Sequence, residues 1–176
     1  MAAKPTIYKL KIALTDLDRE VYDTFNLTVA LHPSETVERM MARVMAFCFN
    51  AHEQLLFCKG LSDAEEPDLW QHNLDGTVAL WIEVGEPVST RIKKATRMAP
   101  TVKIYCFNNK ATTWWDLNRD EISTLSASIH QFQWPQIQAL ARLADRTMDV
   151  SVTISDGSAY VAAEQGECEV AVQQLQ

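Results

Sequence analysis

EPDLWQHNLDGTVALWIEVGEPVSTRIKKATRMAPTVK spans residues 66–103. It contains the clearest signals of secondary structure in this chain. Its first half contains two apolar runs on either side of an Asp75-Gly76 pair, and Asp-Gly favours a tight hairpin turn because both residues tolerate positive φ. The pattern therefore predicts a short strand over 69–72 paired with a central strand over 78–84.

The second half of the stretch predicts a parallel strand pair. Gly85 and Pro87 end the central strand, apolar residues at helical spacing indicate a helix over 89–98, and Pro100 ends that helix before a strand over 102–107. Strand, helix and strand in this order form a βαβ unit, whose two strands run parallel.

Antiparallel strands are expected on both sides of this unit. Alternating apolar residues predict strands over 6–14 and 25–31 near the start, and a meander around an Asp156-Gly157 turn near the end. A short helix around Trp114 and Trp115, a strand within 125–132 and a helix starting at Pro135 complete the prediction. The fold class is α+β, with a mixed sheet that has antiparallel ends around one parallel βαβ segment.

A long amphipathic helix follows the first two strands. Ser34 is the expected N-cap, and apolar residues at helical spacing extend from Val37 to Leu55. Glu38 lies on the margin of this apolar stripe, where it is either a first-turn acid stabilised by the helix dipole or an acid that leans into a cleft. Arg39 and Arg43 are expected on the outer side of the helix.

The composition is typical of one ordinary domain, which we place at residues 1–176. The chain has 176 residues, 47% of them hydrophobic, so it can bury a core without disulfides or metal. No apolar run approaches the roughly 18 residues of a membrane helix, and no signal-peptide core is present. The four cysteines show no Cys-x-x-Cys spacing and are expected to be reduced. We expect a cytoplasmic protein without a membrane partner.

The net charge and the absence of common catalytic motifs exclude several classes of function. The net charge of −7 argues against nucleic-acid binding by bulk electrostatics, but residues 91–103 contain five basic residues and no acid. This basic strip is either an ordinary solvated surface or a contact for nucleic acid. The sequence contains no glycine-rich nucleotide loop, nucleophile elbow or His-Glu-x-x-His helix.

Glu83 is the most informative acid because it lies inside the apolar run of the central strand. A buried carboxylate costs several kcal/mol unless it is paired, protonated or bound to a cation. Helix geometry favours Lys93 or Arg91 over Lys94 as a cation that reaches Glu83, with Lys103 on the next strand as a further candidate. A purely structural ion pair with one of these cations is the alternative to a functional site.

The spacing of Pro67-Asp68, Glu83 and the downstream basic cluster resembles the core motif of the PD-(D/E)XK nuclease superfamily. The segments LHPSETVERMMARVMAF, WIEVGEPVSTRIKKA and ADRTM, together with the SDG hairpin, resemble the YaeQ family, a variation on that nuclease core. The resemblance implies a restriction-endonuclease-like core to which the N- and C-terminal antiparallel strands are added.

The resemblance also implies a site. Asp68 and Glu83 match the two motif acids. Asp75 competes with Asp68, but turn chemistry fully explains Asp75 and does not explain Asp68, so Asp68 is preferred. Glu38 matches an acid that such folds often add from a preceding helix. Together they would hold Mg²⁺ or Mn²⁺, which prefer carboxylate oxygens. Gly85 stands where the motif has its lysine, so Lys93 or Lys94 would have to restore the charge.

Two functions therefore remain open. The first is a metal-dependent nuclease-like protein with a variant site, which hydrolyses phosphodiesters or binds nucleic acid through the basic strip. The second is a non-catalytic interaction or regulatory protein that retains the fold. A metal held between Asp68 and Glu83 favours the first function, and an acid pair bound to the helix by a salt bridge favours the second.

Overall fold

Strands and helices alternate in a mixed α+β arrangement, which confirms the expected class. The computed structural model describes residues 3–59, 61 and 63–176. The chain divides into a first unit, residues 1–51 with 133–172, and a second unit, residues 52–132 with 173–176. Among the described residues, no helix is both long and apolar enough to cross a membrane.

The elements of the first unit are β1 Thr6–Asp16, β2 Val21–Leu31, α1 Val37–Phe49, α4 Trp134–Ala141, β8 Thr147–Ser155, β9 Ser158–Ala163 and β10 Gly166–Gln174. Its strands lie in the order β2-β1-β8-β9-β10. The antiparallel hairpin β1–β2 and the antiparallel meander β8–β9–β10 confirm the predicted terminal strands. The parallel pairing of β1 with β8 was not predicted, because the two strands are far apart in sequence.

Helix α1 is shorter than the sequence predicts at both ends. The side chain of Thr36, not Ser34, caps it by accepting a hydrogen bond from the Arg39 backbone N–H at 3.2 Å. At the other end the Asn50 side chain donates to the Ala46 carbonyl at 2.8 Å. Ala51 and Leu55 fit the apolar spacing and are buried, but they lie beyond the end of the helix.

The expectation that Arg43 faces outward was wrong. Arg43 is only 5% exposed, and it donates from Nε and Nη2 to the two carboxylate oxygens of Glu35 at 2.9 and 2.7 Å. Nη2 also donates to the Ala30 carbonyl on β2 at 2.8 Å. These acceptors offset the cost of burying a guanidinium, which helical periodicity alone cannot predict.

The elements of the second unit are β3 Leu55–Phe57, β4 Leu69–His72, β5 Val78–Val84, α2 Ser89–Met98, β6 Thr101–Cys106, α3 Ala111–Ile122 and β7 Ser128–Phe132. Its strands lie in the order β7-β6-β5-β4-β3. The β4–β5 hairpin is antiparallel, and β5 and β6 pair in parallel around α2, as predicted. Strand β7 adds a further parallel partner to β6.

One face of the second unit's sheet packs on α2 and α3. The core there joins sheet residues such as Trp81 and Ile104 to helix residues such as Ile92 and Ile122. Glu83 lies two residues after Trp81 in β5, and alternate residues of a strand share a face. The fold therefore directs Glu83 toward the face that the helices cover.

Candidate functional site

Asp68 and Glu83 lie opposite one another at the β4–β5 hairpin. Leu69 pairs with Ile82 in the ladder, and the Asp68 backbone N–H donates to the Ile82 carbonyl at 3.1 Å. Antiparallel neighbours in this register place their side chains on one face. Asp68 is 2% exposed and Glu83 5%, so two acids are buried on neighbouring strands.

The Glu83 carboxylate accepts hydrogen bonds from two side chains. Arg91 Nε lies 3.0 Å from each of its oxygens, and Trp81 Nε1 donates to Oε1 at 2.9 Å. Arg91 was one of the two cations that helix geometry favoured. The Asp68 carboxylate accepts from the Val84 backbone N–H at 2.7 Å, which ties the start of β4 to the end of β5.

The surroundings of Glu83 disfavour its charge despite the arginine. Burial is the largest effect and raises the pKa of the Glu83 carboxyl above its ordinary value, and the negative charge of Asp68 adds to this. Hydrogen bonds from Arg91 and Trp81 act in the opposite direction without cancelling the rise. Perturbed acids of this kind are more frequent at functional sites than elsewhere.

Arg91 also binds the acidic loop before β4, residues 63–67. Its Nη1 donates to the Ala64 carbonyl at 2.9 Å, and its Nη2 donates to the Glu66 carbonyl at 3.0 Å. Lys94, one helical turn further on, forms an ion pair with Glu65 at 2.8 Å. Two cations of the basic strip are thus engaged by the acidic loop, whereas Lys93 is exposed on α2.

Gly85 adopts a backbone conformation that disfavours any side chain at this position. Its φ is +123°, a region that L side chains rarely adopt, although nothing lies within 4 Å of an added Cβ. Its backbone N–H donates to the Tyr105 carbonyl on β6 at 2.8 Å. A lysine at this position would be strained by its backbone, so the nearby charge comes from α2 instead.

Asp75 is held by the turn. Its carboxylate accepts from the backbone N–H of Thr77 at 3.0 Å and from the Thr77 hydroxyl at 2.6 Å, and these bonds lower the pKa of Asp75. Asp75 is exposed, in contrast to the buried Asp68. Turn chemistry therefore accounts for Asp75, and the structure brings Asp68 to Glu83.

Glu38 lies in the first unit, whereas Asp68 and Glu83 belong to the second. It is half-buried in the first turn of α1. It lines a depression of about 310 Å³ together with Tyr8, Gln138 and Arg142. Within the described ranges, no group of three His, Cys, Asp or Glu side chains is arranged to hold a metal ion.

Two neighbours of the acid pair were missed in the sequence. Trp81 shares a face with Glu83 because the two residues are separated by one position in a strand, and this spacing was available to find it. Cys58 donates its backbone N–H to the Asp68 carbonyl at 2.9 Å. Burial and the charges of Glu66, Asp68 and Glu83 raise the pKa of the Cys58 thiol, so it stays protonated near neutral pH.

Comparisons with known proteins cover nearly the whole chain. The model of the YaeQ protein family matches residues 1–172. The YaeQ proteins of Escherichia coli (strain K12) and Salmonella typhi are each 38% identical over 172 residues, which span 97% of this chain and 95% of each relative. The crystal structure of YaeQ from Xanthomonas axonopodis pv. citri matches with a TM-score of 0.94, 32% identity and 98% coverage of both chains. That of YaeQ from Pseudomonas syringae matches with a TM-score of 0.93 and 37% identity, over 98% of this chain and 96% of the other.

Proposed function

The chain belongs to the YaeQ family, and we propose that it is a metal-dependent nuclease-like protein with a variant PD-(D/E)XK site on a restriction-endonuclease-like core. Asp68 and Glu83 are the two acids of this site, and Arg91 supplies the cation in place of the motif lysine. The observation that carries the proposal is the burial of two acids opposite each other, with one guanidinium 3.0 Å from both Glu83 oxygens.

This arrangement is costly for a purely structural role. Burial and the neighbouring Asp68 carboxylate both raise the pKa of Glu83, so the two acids are held together at an electrostatic cost. Natural proteins keep such unfavourable arrangements mainly at functional sites, where the chemistry requires them. Asp68 therefore supports a functional interpretation of the cluster more strongly than Glu83 alone does.

The donor chemistry fits a hard divalent cation. Mg²⁺ is commonly bound by one or two carboxylates and keeps several waters, so Asp68 and Glu83 are sufficient ligands. When bound, Mg²⁺ or Mn²⁺ would polarise a phosphoryl oxygen and make a bound water more acidic. Asp68 is held in position by the Val84 N–H, and Glu83 by Trp81 Nε1.

Arg91 has the geometry to stabilise negative charge in this reaction. Its side chain is 29% exposed, whereas that of Glu83 is 7% exposed, so the guanidinium lies between the buried acids and solvent. A permanently charged group at that position stabilises charge that develops on a phosphate. Nucleic acid would contact the exposed part of the basic strip, Lys93 and Arg97 on α2. Lys94, Lys103, Asp75 and Glu38 have weaker support as site residues.

A second candidate function is a non-catalytic interaction or regulatory protein. The observation that favours it is the engagement of Arg91 by the Ala64 and Glu66 carbonyls in addition to Glu83. An arginine bonded in this way stabilises the acidic loop whether or not a substrate binds. A salt bridge from the acid pair to the helix is also the arrangement expected of a protein with this second function.

Calorimetry with Mg²⁺ and Mn²⁺ tests the proposal, followed by cleavage and binding assays on single- and double-stranded DNA and RNA. We expect Asp68→Asn and Glu83→Gln to abolish metal binding and metal-dependent cleavage. Asp75→Asn is the matched control, because it makes the same carboxylate-to-amide change at the exposed turn and should leave both intact. Wild-type protein that binds neither metal nor nucleic acid supports the non-catalytic alternative. Cleavage that persists in Glu83→Gln indicates a contaminant.

A further inference from the structure

The outer face of the first unit's sheet is exposed to solvent. Along β1, the inward residues Leu10, Ile12 and Leu14 are at most 3% exposed, whereas the alternate residues point outward. Strands β8 and β9 alternate in the same way. A five-stranded face therefore has one buried side and one open side.

The centre of this outer face is made of small side chains. The register aligns Ala13 of β1 with Ser151 of β8, and Ser151 with Ala162 of β9. The neighbouring row contains Tyr22 and Tyr160, which are 63% and 51% exposed. Beside Tyr160 the surface forms a depression of about 350 Å³ over β8, β9 and β10. Exposed aromatic rings are typical of a surface that packs against a partner, and the small residues at the centre allow a second flat sheet to approach.

The two sides of the face have opposite charge. Lys9 and Lys11 point outward from β1, whereas Glu167 and Glu169 point outward from β10. Asp149 of β8 lies next to Lys11 in the parallel ladder, so it offsets part of the positive charge. The basic side and the acidic side are separated by β8 and β9.

We propose that this face binds a second copy of the chain and forms a twofold-symmetric dimer. The surface is self-complementary: a twofold axis that runs along the strands between β8 and β9 places β1 of each copy opposite β10 of the other. Small residues then meet small residues at the centre, as in face-to-face packing of two sheets. This inference is independent of the proposed nuclease-like site, which lies in the second unit.

The register also defines which charges meet. Glu167 shares a row with Ala162, Ser151 and Ala13, and Lys11 lies two residues along β1 from Ala13. Two residues of strand correspond to about 7 Å, a distance that a lysine and a glutamate from facing sheets can span. Lys9 lies a further row away and contributes less. Lys11 and Glu167 are therefore the main charge pair, and the symmetry forms it twice.

The size of the face sets the strength of the dimer. The four strands that oppose each other, about 4.8 Å apart and roughly eight residues long, cover an area near 14 by 26 Å, or about 370 Å² on each copy. Specific interfaces bury about 800 Å² per partner, so this one lies at the weak end. We expect a reversible dimer whose population depends on protein concentration.

Sedimentation velocity over a hundredfold range of concentration tests this proposal on the full chain. Lys11→Glu and Glu167→Lys should each raise the dimer dissociation constant by about tenfold or more, because each replaces two attractions by two repulsions. The combined variant, Lys11→Glu with Glu167→Lys, should restore dimerisation. Lys9→Glu should have a smaller effect, and Lys110→Glu, an exposed change in the second unit, should have none.

A steric variant provides a second test. Ala162→Arg places a long charged side chain at the centre of the face and should abolish the dimer. Circular dichroism should show that the variant remains folded, because Ala162 is exposed. A wild-type protein that stays monomeric at every concentration overturns the proposal. So does a dimer that tolerates Ala162→Arg, or one that the combined charge swap does not restore.

Discussion

Two buried carboxylates in this protein, Glu35 and Glu83, are bound by arginines, but their charge balance differs. Glu35, in the first unit, faces two arginines: Arg43 binds both of its oxygens at 2.9 and 2.7 Å, and Arg39 lies 2.6 Å from one of them. Glu83, in the second unit, is bound by Arg91 and lies opposite a second acid, Asp68. Two arginines therefore face one acid at Glu35, whereas at Glu83 a second acid lies beside the pair and raises the pKa of the carboxyl.

This difference in neighbours distinguishes a structural ion cluster from a candidate functional site. The Arg43 side chain is 7% exposed and connects α1 with a carbonyl of β2, so its contacts hold elements together. The Arg91 side chain is 29% exposed and lies at the surface of its cluster. A pKa that burial and a neighbouring acid raise, beside a partly exposed arginine, is the property that points to binding or catalysis at Glu83.

Breaking the Glu35 cluster should have the largest effect on stability. Arg43→Leu removes the guanidinium and leaves a buried carboxylate, so we expect the free energy of unfolding to fall by about 3 to 5 kcal/mol. Urea denaturation followed by circular dichroism measures this loss. Arg39→Leu is the control, because the Arg39 side chain is 18% exposed, more than the 7% of Arg43, and also binds Glu35. Equal losses in the two variants would contradict a cluster centred on Arg43.

The sequence predicted the βαβ core well and the ion clusters only in part. Pro87 and Pro100 flank α2, so its bounds were predicted without error, and β5 was predicted from its continuous apolar run. Helical spacing favoured Lys93 or Arg91 as the cation that reaches Glu83, and Arg91 makes this contact. These features depend on local patterns, which a single sequence displays.

The features that the sequence did not reveal depend on distant partners. Arg43 is buried because Glu35 lies outside the helix and turns back toward it, and no periodic pattern reports such a contact. The bonds from Arg91 to the Ala64 and Glu66 carbonyls involve backbone atoms, which every residue has. The pairing of β1 with β8 joins strands separated by more than a hundred residues.

Replacing Glu83 should have the opposite sign to breaking the Glu35 cluster. Glu83→Gln keeps the volume and removes a charge that the fold disfavours, so without metal the free energy of unfolding should rise by about 0.5 to 1 kcal/mol. Thermal melts in the presence of a chelator measure the change. A clear loss of stability would instead identify Glu83 as a structural partner of Arg91.

The pH dependence sharpens this prediction. The pKa of Glu83 is raised in the folded state from its ordinary value of 4.5, so its favourable contribution to stability is fully present below that value. The contribution is lost as pH rises through the folded-state pKa. The difference between Glu83→Gln and wild type should therefore be positive at neutral pH and should disappear below about pH 4. A difference that grows as the pH falls would show that the pKa is lowered instead.

The smallest effect concerns the basic strip. Lys93 is exposed, whereas Lys94 is held by Glu65 at 2.8 Å, so Lys93 is the better placed of the two for a phosphate contact. If nucleic acid binds here, Lys93→Ala should weaken affinity by about threefold and reduce the slope of log K against log salt by about one unit.

Lys94→Ala is the matched control for Lys93→Ala, because it removes the same side chain from the next position of α2. It should change the affinity less, since Lys94 gives up its surface ion pair with Glu65 when it turns to a phosphate. Fluorescence anisotropy with labelled single- and double-stranded DNA and RNA, at several salt concentrations, measures both variants. A larger effect of Lys94→Ala would place the nucleic acid over the acidic loop on the side of Arg91. Affinity that does not depend on salt would instead favour the non-catalytic alternative with a protein partner, whose contacts are mainly apolar.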